Sequence, residues 1–278
     1  MRRMKTAATA LGLAALCGLP AAAQAAGAAT STWTQCHAST NQDARIAACT
    51  HELEQYPPSS DTRADLYDNR GLAHLEKGEF DAALADIGKA ITNRADDGAL
   101  YFHRGLVYLR TGDHQQALRD FDIALARSPD LPDALVARGH ERLYAHDNAK
   151  ALADLDRAVR LYPQYPDAYA ERCFARAAIG ADLDGALRDC AMALRLAPDA
   201  VEFVQTRAFA EYRAKALDKA LADLDAALAK QPGAANALFL KGVVERDRGD
   251  AAKGKADMDA ALAEAPHVAQ DWAAFGVS

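Results

Sequence analysis

Apolar and polar positions follow a helical pattern along the chain, and the pattern itself recurs. The segments LADIGKAI (84–91), LRDFDIAL (118–125), LADLDRAV (152–159), LRDCAMAL (187–194), LADLDAAL (221–228) and KADMDAAL (255–262) align in steps of 34, 34, 35, 34 and 34 residues. A second series, NRGLAHL, HRGLVYL, ARGHERL, ERCFARA, TRAFAEY and LKGVVER, keeps the same period upstream of each. Two helical patterns therefore share one unit. A fixed period of a few tens of residues marks a solenoid, in which one hairpin cannot bury its apolar face alone and stacking buries a one-dimensional core.

Small and large residues keep the same phase. Gly71, Gly105, Gly139, Cys173, Ala208 and Gly242 occupy one position of the unit, Ala83, Ala117, Ala151, Ala186, Ala220 and Gly254 a second, and Ala90, Ala124, Ala158, Ala193, Ala227 and Ala261 a third. Large apolar residues stand between them at Ile87, Phe121, Leu155, Leu224 and Met258. Small side chains let two helix backbones approach while the large ones fill the space beside them. Pro129, Pro163, Pro198, Pro232 and Pro266 close successive units, with Ala95 departing from the series; each proline lacks an amide donor and turns the preceding residue away from helix.

Together these positions resemble the tetratricopeptide (TPR) repeat over roughly residues 64–268, with a degenerate unit before them. The resemblance implies an all-α chain, a right-handed α-solenoid of helix-turn-helix (TPR) repeats. Its expected divisions are a signal peptide at 1–25, a degenerate hairpin at 26–63, repeats at 64–97, 98–131, 132–165, 166–200, 201–234 and 235–268, and a capping helix at 269–278 that covers the apolar face of the last hairpin.

The N-terminus changes the setting. Arg2, Arg3 and Lys5 precede an apolar run from Ala7 to Leu19 and then Ala23-Gln24-Ala25, the layout of a secretory signal peptide. The run falls short of the roughly 20 residues that span a bilayer, so no membrane span is expected in the mature chain. Export points to the periplasm, with full secretion as the other destination. Cleavage takes the formal charge from −7 to −10, because the signal carries three basic residues and no acidic one. So acidic a chain is a poor partner for nucleic acid.

Cys36, Cys49, Cys173 and Cys190 remain after cleavage, an even number in a compartment where disulfides persist. Within the repeat, Cys173 replaces the small residue of a first helix and Cys190 the large one of the second. Their midpoint falls in the turn IGADLD, so they lie at matching heights on antiparallel helices. Cys36 and Cys49 repeat the arrangement around STNQD, with Cys49 where Ile87 sits in the next unit. Pairing Cys36 with Cys49 and Cys173 with Cys190 is expected to contribute about 3 kcal/mol per bridge in the chain-entropy description. Either other connectivity would join units about four repeats apart. The Cys36-His37 and Cys49-x-His51 spacings do not match a zinc finger, and a C-x-x-C redox pair is missing.

Catalytic signatures are missing too: no G-x-S-x-G, H-E-x-x-H, G-x-x-x-x-G-K-[ST] or G-x-G-x-x-G is found. His74, His103, His114, His140, His146 and His267 are expected to be helix-surface or packing residues. Asp86, Asp120, Asp154, Asp189, Asp223 and Asp257, with Arg70, Arg104, Arg138, Arg172, Arg207 and Lys241, recur once per unit. A ladder of that kind is a structural ion-pair series, about 0–1 kcal/mol per pair if exposed. No enzyme activity, cofactor or metal is expected.

The remaining surface is the groove in which TPR arrays bind extended peptides or helices, through fixed positions of the first helices. Carried over, these are Phe102, Leu106, Arg110, Val136, His140, Tyr144, Phe174, Phe209, Tyr212, Arg213, Phe239 and Val243. Some of them have a competing role, packing between units. The groove is richer in aromatics than in charge, which suits an apolar or amphipathic segment. Asn69 occupies one position of the clamp by which some TPR proteins hold chaperone tails, but no preceding lysine and asparagine accompany it, so the clamp is absent. The expected role is a scaffold or adaptor for a protein or peptide partner. The alternatives are an accessory subunit docking on an envelope enzyme or secretion machine, and a binder of a small molecule or peptidoglycan fragment.

Overall fold

A computed structural model of the chain describes residues 31–55 and 59–278. The expected signal peptide lies outside them. Among the described residues, helices come in consecutive pairs: α1 (Thr32–Ala38) with α2 (Gln42–Gln55), α3 (Ser60–Lys77) with α4 (Phe80–Asn93), α5 (Gly98–Thr111) with α6 (His114–Arg127), and α7 (Pro132–Tyr144) with α8 (Asn148–Leu161). Then follow α9 (Pro166–Ile179) with α10 (Leu183–Leu196), α11 (Val201–Arg213) with α12 (Leu217–Lys230), α13 (Ala235–Arg248) with α14 (Ala251–Glu264), and a short α15 (Val268–Ala273). This is an all-α solenoid of helix-turn-helix repeats. The chain divides into two compact units, an N-terminal one through Ala134 and a C-terminal one from Leu135.

One contact builds each hairpin. A Cβ placed on Gly71 would lie 2.6 Å from Ile87 Cγ1, one on Gly105 2.5 Å from Phe121 Cε1, and one on Gly139 2.8 Å from Leu155 Cγ. Glycine is required there because the large residue of the second helix fills the volume above its backbone. In α9 and α10 the same pair is the Cys173–Cys190 disulfide, with Cα atoms 5.5 Å apart. The covalent bond thus replaces a glycine-against-large contact in register. The Cys36–Cys49 disulfide joins α1 to α2 across 4.8 Å. It is fully buried with Ala48 and Leu66, so it also ties the leading hairpin to α3.

The turns share a backbone solution. Gly78, Gly112, Gly180 and Gly249 follow their first helices with φ of 75°, 79°, 77° and 107°, the left-handed C-terminal cap that glycine takes most easily. His146 and Lys215 hold the same place after α7 and α11 at φ 59° and 62°, where a side chain adds strain. The single 35-residue step is absorbed between α9 and α10, where Asp182 adopts φ 53° and its side chain accepts from the Gly185 amide. Both helices keep 14 residues.

The acid–base ladder lies within the hairpins. Arg70 Nε and Nη2 donate to the two oxygens of Asp86 at 2.6 and 2.9 Å, and Arg104, Arg138, Arg172 and Arg207 repeat this fork on Asp120, Asp154, Asp189 and Asp223. Lys241 meets Asp257 at 3.0 Å. Asp86, Asp120, Asp154 and Asp189 are only 3–5% exposed, so these are interior pairs, and the value for exposed pairs does not apply. Removing an arginine would strand a buried carboxylate, a far larger loss than breaking a surface bridge. Arg142 and Arg176, one turn further on, each add a second donor to Asp154 and Asp189 at 2.7 Å.

Candidate functional site

In the C-terminal unit the first helices α7, α9, α11 and α13 turn a row of aromatic and basic side chains to one face. Those three- and four-residue spacings put His140 and Tyr144 on one helix side, Phe174 on the next, and Phe209 and Arg213 on the third. Phe174 and Phe209 meet in a tilted contact with centroids 5.2 Å apart, and His140 stacks on Phe174 at 6.0 Å.

That face is covered by the 267–278 segment. After α15, Gly276 takes φ 75°, and its amide bonds Ala273 O at 3.0 Å while the Val277 amide bonds Trp272 O at 3.1 Å. This is a Schellman turn, with the paired apolar contact that usually goes with it supplied by Trp272 and Val277. The turn carries Phe275 edge-on to Phe174 at 4.8 Å, within 6.3 Å of His140 and 6.2 Å of Tyr144. Trp272 meets Phe209 edge-on at 5.1 Å. Arg213 Nη1 donates to Phe275 O at 3.2 Å, and Arg246 Nη2 donates to Ser278 O at 2.7 Å. Trp272 and Val277 are fully buried. In place of the capping helix expected over 269–278, the structure has the six-residue α15 (Val268–Ala273) and a turn, and Trp272 and Phe275 reach aromatic residues of α7, α9 and α11.

Electrostatics fix the rest of the face. His140 Nδ1 lies 2.9 Å from Glu171 Oε2. Burial opposes protonation of this imidazole, but the Glu171 charge and hydrogen bond outweigh it and hold the pKa at about 9. His140 is thus an imidazolium at neutral pH. The Tyr212 hydroxyl donates to Asp247 Oδ2 at 2.8 Å, and burial with that bond pushes its pKa up to about 12. Burial, followed by the neighbouring Asp223, raises the Glu211 carboxyl. A cavity of about 300 Å³ lies beside Phe275, lined by Leu143, His146, Asn148, Ile179 and Arg213 among others.

The twelve residues carried over from the repeat divide by unit. In the N-terminal unit, Phe102 is buried against Phe121 at 5.8 Å. Leu106 is half-buried beside Leu75 and Ile87, and Arg110 is exposed. Near them His103 Nδ1 lies 2.9 Å from Asp68, which raises its pKa although burial opposes it. In the C-terminal unit His140, Tyr144, Phe174, Phe209 and Arg213 meet around the 272–276 turn. Tyr212 points to Asp247, and Val136, Phe239 and Val243 are buried within their helices. The sequence reading did not place Trp272, Phe275, Glu171 or Arg246 on this face. Gly276 directly after an aromatic pair was the available signal, a helix stop followed by an apolar residue. Among the described residues, no group of three or more His, Cys, Asp or Glu could hold a metal ion, and no helix is long and apolar enough to cross a membrane.

The tetratricopeptide repeat family model matches residues 69–132 and 206–269. A search among curated proteins gives no sequence match. Among solved structures, a tetratricopeptide repeat protein from Parabacteroides merdae superposes with a TM-score of 0.66 at 17% identity, over 84% of this chain and 92% of that one. The Cut9–Hcn1 hetero-tetramer of the APC/C gives 0.71 at 15% identity, over 84% of this chain and 46% of that one. YrrB, described as a TPR protein with an unusual peptide-binding site, gives 0.51 at 26% identity, over 70% of this chain and 98% of that one. Repeat phase, helix pairing and these matches agree: the chain is a tetratricopeptide repeat protein.

Proposed function

We propose that this protein is an exported, non-enzymatic scaffold that holds a protein or peptide partner on the first-helix face of its C-terminal unit. The observation that carries this reading is the aromatic cluster of Phe174, Phe209, His140 and Tyr144, which already accommodates an apolar stretch of chain. A helical segment lays its apolar side chains into a hydrophobic groove, and aromatic residues there pair edge-to-face. The likeness to YrrB, a TPR protein with a peptide-binding site, points the same way. The N-terminal pattern of Arg2, Arg3 and Lys5, an apolar run and Ala23-Gln24-Ala25, together with two buried disulfides, supports export to the periplasm or beyond.

Affinity purification of the tagged full chain from the cell envelope, followed by mass spectrometry, tests both parts. N-terminal sequencing of the same preparation should begin after Ala25. Tyr144→Ala, which removes an exposed ring on the face, should lose the principal partner with the melting curve unchanged. An unaltered partner set would remove the groove assignment.

A further inference from the structure

The 267–278 segment behaves in the structure as a bound peptide does. Its contacts with the face are two aromatic rings three residues apart, a glycine turn and two carbonyl oxygens receiving arginine donors. None of these needs the covalent link back to α14. The fit is also imperfect: Trp272 Nε1 is buried without a hydrogen-bond partner, and a solvent-open pocket of about 300 Å³ flanks Phe275 and Gly276, lined by Leu143, His146, Ile179 and Arg213 among others. A buried donor without a partner weakens seating, and the open pocket alongside leaves room for a larger side chain, so a ligand that uses both has free energy to gain by displacing the segment.

We infer that the segment is an intramolecular occupant of the partner site, and that the partner is a peptide of the same chemistry: a short helix ending in two aromatic residues at i and i+3, followed by glycine. This rests on the groove reading above and specifies its ligand. Because the segment is tethered directly to α14, it competes at high effective concentration. The apparent affinity of any outside peptide is reduced by the fraction of molecules in which the face is open. The site is thus a latent one, gated by its own mimic.

The probe is a fluorescent peptide HVAQDWAAFGVS, the 267–278 sequence, titrated into the full chain in three forms: wild type, Trp272→Ala/Phe275→Ala, and Gly276→Val. The last leaves every groove residue in place and unseats the turn, because a β-branched residue is strained at the φ of 75° that Gly276 adopts. Both variants should bind the peptide at least tenfold more tightly than wild type, and a peptide with both aromatics changed to alanine should not bind. Equal affinity for all three chains, or no binding to either variant, would overturn the inference. So would loss of cooperative melting in both variants, which would make the segment an integral cap. A concentration-dependent wild-type dimer dissolved by Gly276→Val would assign the face to a second copy's segment and equally overturn it. If the peptide fails to bind while Tyr144→Ala still abolishes partner capture, this inference falls and the groove reading stands.

Discussion

The first helices of the two units carry the same repeat positions and treat them differently. In the N-terminal unit Phe102 turns onto Phe121, inside its own hairpin, leaving Leu106 half-buried and Arg110 exposed. In the C-terminal unit Phe174 and Phe209 pack against each other at a tilt and are closed over by Phe275 and Trp272. A repeat position therefore does not decide whether a residue is core or surface. Its neighbours do, and at Phe174 the decisive neighbour is 101 residues away in sequence. The difference separates aromatics that hold the fold from aromatics that a displaceable segment happens to cover.

Truncation should expose that difference most strongly. Phe121→Ala empties the fully buried space beside Gly105 and should cost about 3–5 kcal/mol, seen as a large drop in the denaturation midpoint of the N-terminal unit. Trp272 is equally buried, yet Trp272→Ala should cost no more than undocking the segment, well below the loss at Phe121, because the chain can let go instead of supporting a cavity. A loss as large as that of Phe121→Ala would erase the contrast. Replacing Cys173 and Cys190 together by alanine should cost about 3 kcal/mol and lower the midpoint of the C-terminal unit, with hydrogen exchange in α3–α6 unchanged.

The next largest effect is a pH dependence carried most strongly by His140 in the C-terminal unit, with His103 beside Asp68 adding a contribution of the same sign in the N-terminal unit. Folding raises the His140 pKa from 6.5 to about 9, so the stabilising imidazolium is fully present below pH 6.5 and is lost as pH rises through 9. Up to about 3 kcal/mol is involved, with Glu171 and Glu141 the charges that face the ring. Melting of the wild type should weaken between pH 6.5 and 9, and His140→Gln should flatten that slope. The smallest effect concerns the turns: His146→Gly and Lys215→Gly relieve left-handed strain that Gly78 and Gly112 do not carry. Each should raise stability by about 0.5–1 kcal/mol, read as a small rise in melting temperature.

Much of this was written locally in the chain. The hairpins follow from glycine or alanine facing a large residue at a constant offset, and Cys173 and Cys190 stood out because they break that pair together. The Arg–Asp series was visible as a ladder, but not its burial, since an acid on a helix shows its depth only when its neighbours are placed. His140 looked like any helix histidine because its partner Glu171 lies on the next first helix. The 267–278 segment was legible as a helix and illegible as a lid. Its contacts with Phe174 and Phe209 have no counterpart one period away, and a repeat pattern carries no information about a contact made once.

The central claim, that the face of the C-terminal unit is covered by a segment able to leave it, is tested most directly by native-state hydrogen exchange. The Gly276 and Val277 amides are held by Ala273 and Trp272 carbonyls and should exchange through a local opening, orders of magnitude faster than the core amides of α11 and α13, and independently of denaturant at low concentration. Exchange of Gly276 and Val277 at the rate of those core amides, with the same denaturant dependence, would show that the segment opens only with global unfolding and would contradict the account.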